Sequence, residues 1–86
     1  MPEISRFLGI IIKMYYNEHN PPHFHAQYND KMGVFTINEL QMIEGDLPKK
    51  IIPLVLEWAF EHRNELLEDW NLAEKHKELR KIDPLV

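Results

Sequence analysis

The chain has 86 residues, a formal net charge of −4 and no cysteine. That length suits one domain, 1–86, with a core of modest size. The absence of cysteine excludes a disulfide framework, a thiolate zinc site and a cysteine nucleophile, and it fits a reducing cytoplasm. The hydrophobic share of 44% is that of a globular protein. The longest apolar run, Phe7–Ile12, is far short of the roughly 20 residues that span a bilayer, so no membrane association is expected. An acidic balance also argues against nucleic acid as the main partner, because phosphate neutralisation needs a basic surface. The one basic cluster is Lys75-His76-Lys77 with Arg80 and Lys81, and as a helix C-terminus it complements the helix dipole without any ligand.

The first half reads as β. Phe7–Tyr16 is predicted as one strand, with Leu8, Ile10, Ile12, Met14 and Tyr16 on the core face. Asn17–Pro22 is a turn, since Asn20-Pro21-Pro22 cannot continue a strand. His23–Tyr28 is a second strand. Phe24, Ala26 and Tyr28 share its core face, and His23, His25 and Gln27 point the other way. Asn29-Asp30-Lys31 forms a hairpin loop, Val34–Ile37 a third strand and Gln41–Glu44 a short fourth, ended by Gly45.

The second half reads as helix. Asp46 is the expected N-cap, Pro48 sits in the first turn, and the helix runs to about Lys77. Ile52, Val55, Leu56, Ala59, Leu66, Trp70 and Ala73 fall on one stripe at helical spacing, with Glu57, Glu61, Glu65 and Glu68 opposite. Pro53 either bends this helix or splits off a short turn before it. Trp58 lies about 120° from the stripe on ideal geometry, where it either marks a partner surface or packs on a strand or the chain terminus. The expected fold is therefore α+β: an antiparallel meander of three to four strands with one long C-terminal helix packed on one face.

Three of the five histidines lie in the segment His19-Asn-Pro-Pro-His23-Phe-His25. His23 and His25 leave one strand face about 6–7 Å apart at the backbone, close enough to converge on one ion. His19 is the expected third nitrogen, which together with water gives a zinc-like donor set of His19, His23 and His25; Glu18 is a further ligand or base. The same histidines can instead satisfy backbone groups around the prolines. The cofactor such a site implies is a divalent metal, zinc or nickel. Arg6 is either solvated, paired with Glu18, or an anion contact beside the histidines. Arg63, in the apolar stripe, either covers the core edge or reaches an anion. His23, His25, Arg6 and Arg63 are thus the catalytic candidates, and His19, His23, His25 and Arg6 the binding candidates. His62 reads as a packing residue at the rim of the stripe.

Several segments resemble the bacterial domain-of-unknown-function family numbered 4160. They are Ile4-Ser5-Arg6-Phe7 leading into Gly9–Met14, the Asn-Pro-Pro-His-Phe-His segment, Ile43-Glu44-Gly45, and Leu56-Glu57-Trp58-Ala59 with His62-Arg63. The resemblance implies a small protein often encoded beside another in a toxin–antitoxin-like pair, and it implies no reaction. Two functions follow as expectations. One is an interaction module that binds a small protein encoded nearby, or a second copy of itself, around the histidine turn. The other is a small histidine- or metal-dependent RNA hydrolase, in which histidines serve as acid and base and an arginine stabilises phosphoryl charge.

Overall fold

The computed structural model describes residues 2–86 and is α+β. Five strands come first: β1 (Glu3–Phe7), β2 (Ile10–Lys13), β3 (His23–Tyr28), β4 (Lys31–Thr36) and β5 (Gln41–Gly45). Two helices follow, α1 (Ile52–Glu61) and α2 (Arg63–Glu74). The strands form one antiparallel sheet in chain order. The meander is as expected, but it has five strands instead of three or four.

The extra strand, β1, lies just before the segment expected as the first strand and shares only Phe7 with it, and that segment narrows to β2. Leu8 and Gly9 both take positive φ, 52° and 81°, and close a two-residue hairpin between paired Phe7 and Ile10. Such turns match the right-handed twist of the flanking strands. Ile10, Ile12 and Met14 keep the core face that alternation predicts. Leu8 is exposed in the turn instead of buried, and Phe7 is buried as the cross-strand partner of Ile10. Strand β3 has the expected limits. Phe24 and Ala26 are fully buried, whereas Tyr28 is half-buried.

The helical half departs further from expectation. Asp46 does not cap the helix; its Oδ1 accepts from the Met32 backbone N–H and its Oδ2 pairs with Lys31. Pro48–Ile51 is a separate turn, and Ile51 precedes α1, which places Pro53 in the helix's first turn. There proline lacks only a donor that would have no intrahelical partner. The one long helix is in fact two. His62 leaves helical geometry at φ −118°, ψ 24°, so the first helix ends on it and the second begins after it. Helix α2 stops at Glu74, short of Lys77, in a Schellman closure. His76 takes φ 57°, its N–H donates to the Ala73 carbonyl, and the Lys77 N–H donates to the Leu72 carbonyl.

Val55, Ala59, Leu66, Trp70 and Ala73 of the stripe are buried on the core, with Ile52 and Leu56 at its margin. Trp58 is also fully buried, packed on Phe7 and Phe24, and its Nε1 donates to the Asp83 carbonyl at 2.8 Å. That bond belongs to a C-terminal strap over residues 75–86. Along the strap the Arg80 N–H donates to Asp69 Oδ1, Ile82 is buried, and the Ile82 N–H donates to the Ile4 carbonyl. The strap covers the β1 edge of the sheet. At the other edge Ile43 of β5 is exposed, as the extra residue of a bulge opposite Val34 and Phe35.

Candidate metal centre

The alternation of β3 that buries Phe24 and Ala26 sends His23 and His25 out on the opposite face. They are not open to solvent there: their side chains are 12% and 15% exposed. The His25 ring meets the Tyr15 ring edge-on at 4.5 Å, and the His23 ring packs on Trp70 of α2 at 5.1 Å. The loop after β2 turns back over this face, and Tyr16 anchors it by donating its hydroxyl to the Lys77 carbonyl at 2.8 Å.

This loop delivers Glu18 to the histidines. Glu18 Oε1 lies 3.0 Å from His25 Nε2 and 3.4 Å from His23 Nε2. Glu18, His23 and His25 each offer one ligand atom, and these atoms all lie within 4.8 Å of one another. His19, the expected third donor, is outside the group and exposed; its neighbour Glu18 stands in its place. Burial is the largest influence on the Glu18 carboxyl and pushes it up. Hydrogen bonds from His25 and then His23 outweigh burial and hold it below the ordinary carboxylate value.

One further contact orients His23. His23 Nδ1 lies 2.8 Å from the Pro21 carbonyl oxygen. A carbonyl only accepts, so Nδ1 carries a proton and donates it. In the neutral ring Nε2 is an acceptor facing a carboxylate oxygen, itself an acceptor; in the imidazolium ring Nε2 donates to that oxygen. A proton or a cation must lie between them. A tetrahedral zinc ion with bonds of about 2.0–2.1 Å holds its ligand atoms about 3.3–3.4 Å apart. The 3.0 and 3.4 Å separations here are hydrogen-bonding distances, and the longer of the two equals that spacing. Metal-bound histidines characteristically give their other N–H to a carbonyl or carboxylate, as His23 does. His25 Nδ1 is buried without a partner.

A family model described as "Domain of unknown function (DUF4160)" matches residues 9–71. The chain belongs to that family. The DUF4160 match runs from the first hairpin into α2 and contains Glu18, His23 and His25. The first strand and the strap lie outside it. No curated protein and no solved structure matches the chain.

Beside the DUF4160 cluster is a cleft of about 210 Å³ lined by Tyr15, Asn17, Glu18, Trp70, Ala73, Glu74 and His76. Glu18 belongs to both the cluster and the cleft wall. The two arginines are elsewhere. Arg6 is exposed and pairs with Glu3 at 2.7 Å on the far edge strand. Arg63 opens α2 with its guanidinium over the Phe60 ring and its Nε buried without a partner. Among the described residues, no hydrogen bond or ion pair joins either arginine to the histidines. His62 packs on Trp58 and pairs with Glu65, as a packing residue does.

Asp69 is the polar residue that sequence reasoning missed. It is 1% exposed on α2, with Oδ1 bonded to the Arg80 N–H and Oδ2 buried without a partner. Burial raises its carboxyl above the ordinary value, and the Arg80 backbone contact offsets that only in part. Its spacing, three residues after Leu66 and four before Ala73, sets it at the edge of the apolar stripe, and that was the available sign of its burial. No helix of the described residues is long and apolar enough to cross a membrane.

Proposed function

We propose that this chain is a divalent-metal-binding interaction module, one half of a two-protein pair, with Glu18, His23 and His25 as the ligands it supplies. The carrying observation is the convergence of three donor atoms while the Pro21 carbonyl takes up His23 Nδ1 and turns Nε2 towards Glu18. Two imidazole nitrogens and one carboxylate oxygen suit zinc, nickel or copper better than magnesium or calcium, which prefer oxygen. Bound to the native fold, such an ion ties the loop after β2 to β3 and fixes the shape of the surface around the histidine turn. The two-protein pairing rests on the resemblance to small paired bacterial proteins and on the modest core of a short chain.

Thermal melts with zinc, nickel and magnesium test the metal. An ion that binds only the folded state adds about 2.7 kcal/mol at a hundredfold excess over its dissociation constant. For a domain of this size that raises the midpoint by on the order of 10–20 °C. Zinc or nickel should do this and magnesium should not, and the His23→Ala/His25→Ala variant should lose the response. A wild-type midpoint indifferent to zinc and nickel would remove the reading. Co-purification with the product of the adjacent gene tests the pairing.

Metal-dependent RNA hydrolysis is the second reading. Three protein ligands with one position left for water is the pattern of catalytic zinc, which supplies a hydroxide nucleophile. The electrostatics weigh against it, because Glu18 and Glu74 line the adjacent cleft and the chain carries −4 overall. RNA cleavage by the zinc-loaded protein, abolished by His25→Ala, would put it ahead of the interaction module.

A further inference from the structure

We infer that the cleft beside Glu18 receives a single histidine side chain from the partner protein, whose imidazole completes the coordination of the ion. The inference rests on the metal reading above and adds the chemistry of the partner.

Position comes first. Glu18 is both a donor of the cluster and a wall of the cleft, and Tyr15 and Trp70, which pack on His25 and His23, form two further walls, so the cleft adjoins the cluster although the two imidazoles do not line it. Three protein donors leave a tetrahedral ion one position short. Size comes next. At about 210 Å³ the cleft is smaller than the roughly 300–1,000 Å³ of ordinary small-molecule sites. It suits one side chain and does not suit a nucleotide.

Charge then selects among side chains that bind metal. The lining holds Glu18 and Glu74 but no lysine or arginine. A carboxylate, phosphate or thiolate would have to sit beside Glu74, and an ammonium or guanidinium would have to face the metal ion. A neutral donor meets neither repulsion. Shape agrees, because Tyr15 and Trp70 contribute aromatic walls for a flat ring. An imidazole bound through one nitrogen must also place its second N–H, and Glu74 and Asn17 both offer acceptors in the lining.

This chain has an imidazole of its own on the cleft, that of His76. Its ring is stacked on Tyr16 at 6.1 Å and 11°, and it is not part of the donor group. It is the internal competitor that an experiment must separate from an incoming histidine.

Cobalt(II) substitutes for zinc and reports its ligands through its visible absorption, so the full-length protein loaded with cobalt is titrated with imidazole, acetate and phosphate. Imidazole should shift the spectrum and saturate, in wild type and in His76→Ala alike, while acetate and phosphate bind at least tenfold more weakly. Glu74→Gln, at an exposed position that the fold tolerates, should weaken imidazole about tenfold through loss of a charge-assisted hydrogen bond. Acetate or phosphate binding as tightly as imidazole overturns the inference, as does an imidazole affinity indifferent to Glu74→Gln. A cobalt spectrum that His76→Ala alters before any imidazole is added also overturns it, since His76 then holds the fourth position. Cobalt bound without any imidazole response removes this inference and leaves the metal reading intact. Failure to bind cobalt at all removes both.

Discussion

The two faces of β3 differ in what holds them. Phe24 and Ala26 face inward and are fully buried, with Phe24 stacked on Phe35 and edge-on to Trp58. His23 and His25 face outward and are nearly as enclosed, but by Tyr15, Trp70 and Glu18, which come from a loop and from helix α2. The inner face is held by apolar area removed from water, which needs no particular partner atom. The outer face is held by directed contacts between a few polar atoms, each of which must be in place. One strand therefore serves the core with one set of residues and the candidate site with the next, and substitutions should tell the two apart.

The inner face should fail first. Phe24→Ala should cost about 3–5 kcal/mol in urea unfolding, a large share of what a small domain has to lose, whereas zinc affinity per folded molecule should be unchanged. Trp70→Ala is where the division breaks. Trp70 is buried in the core and also touches the His23 ring, so an equal loss of about 3–5 kcal/mol should come with weaker zinc binding. A Trp70 variant with unaltered zinc affinity would show that the Pro21 carbonyl alone orients His23.

The outer face should cost less. Without metal, His23→Ala/His25→Ala should lose about 1–2 kcal/mol, the worth of one or two hydrogen bonds, and should lose the zinc-induced rise in midpoint entirely. A metal-free double variant that fails to melt cooperatively would assign the histidines to the fold instead. Smaller again is Pro53→Ala. In the first turn of α1 the proline fits its surroundings, so alanine should lower stability by about 0.4–1 kcal/mol through the unfolded state. A stabilised variant would place Pro53 within the helix interior.

Asp69→Asn is the subtlest change. Burial raises the folded-state value of this carboxyl, so the folded chain holds its proton more tightly than the unfolded chain. Asp69 therefore favours folding at low pH, and this contribution is lost as pH rises through the raised folded value. The asparagine variant lacks that loss. Its stability relative to wild type should climb as pH rises from about 4 towards neutrality. Melts across that range that show a constant or falling difference would mean that Asp69 ionises without penalty in the fold.

Much of this arrangement can be read from local pattern. The limits of β3 and the split between its faces follow from alternation and from the Asn20-Pro21-Pro22 boundary, which act over a few residues. The buried faces of α1 and α2 follow from spacing in the same way. The first hairpin was less legible. Leu8 reads as a strand residue, and Gly9 was the lone sign of a two-residue turn. The break at His62 had no glycine or proline to mark it.

What the sequence determined by itself, then, is the antiparallel α+β order of elements, the core-forming faces, and a histidine pair on the outer face of β3. Each follows from periodicities set by backbone geometry. Only the tertiary structure decided which neighbour joins that pair. Glu18 and His19 are adjacent in the chain and both carry metal donors. The choice between them depends on the path of a loop fixed by Tyr15 on His25 and by Tyr16 on the Lys77 carbonyl, 61 residues away. Trp58 is decided in the same way: a helical wheel leaves it outside, and the strap buries it by bringing the Asp83 carbonyl across 25 residues of chain to its ring nitrogen. Contacts between residues so far apart are chosen by packing, and no local period records them.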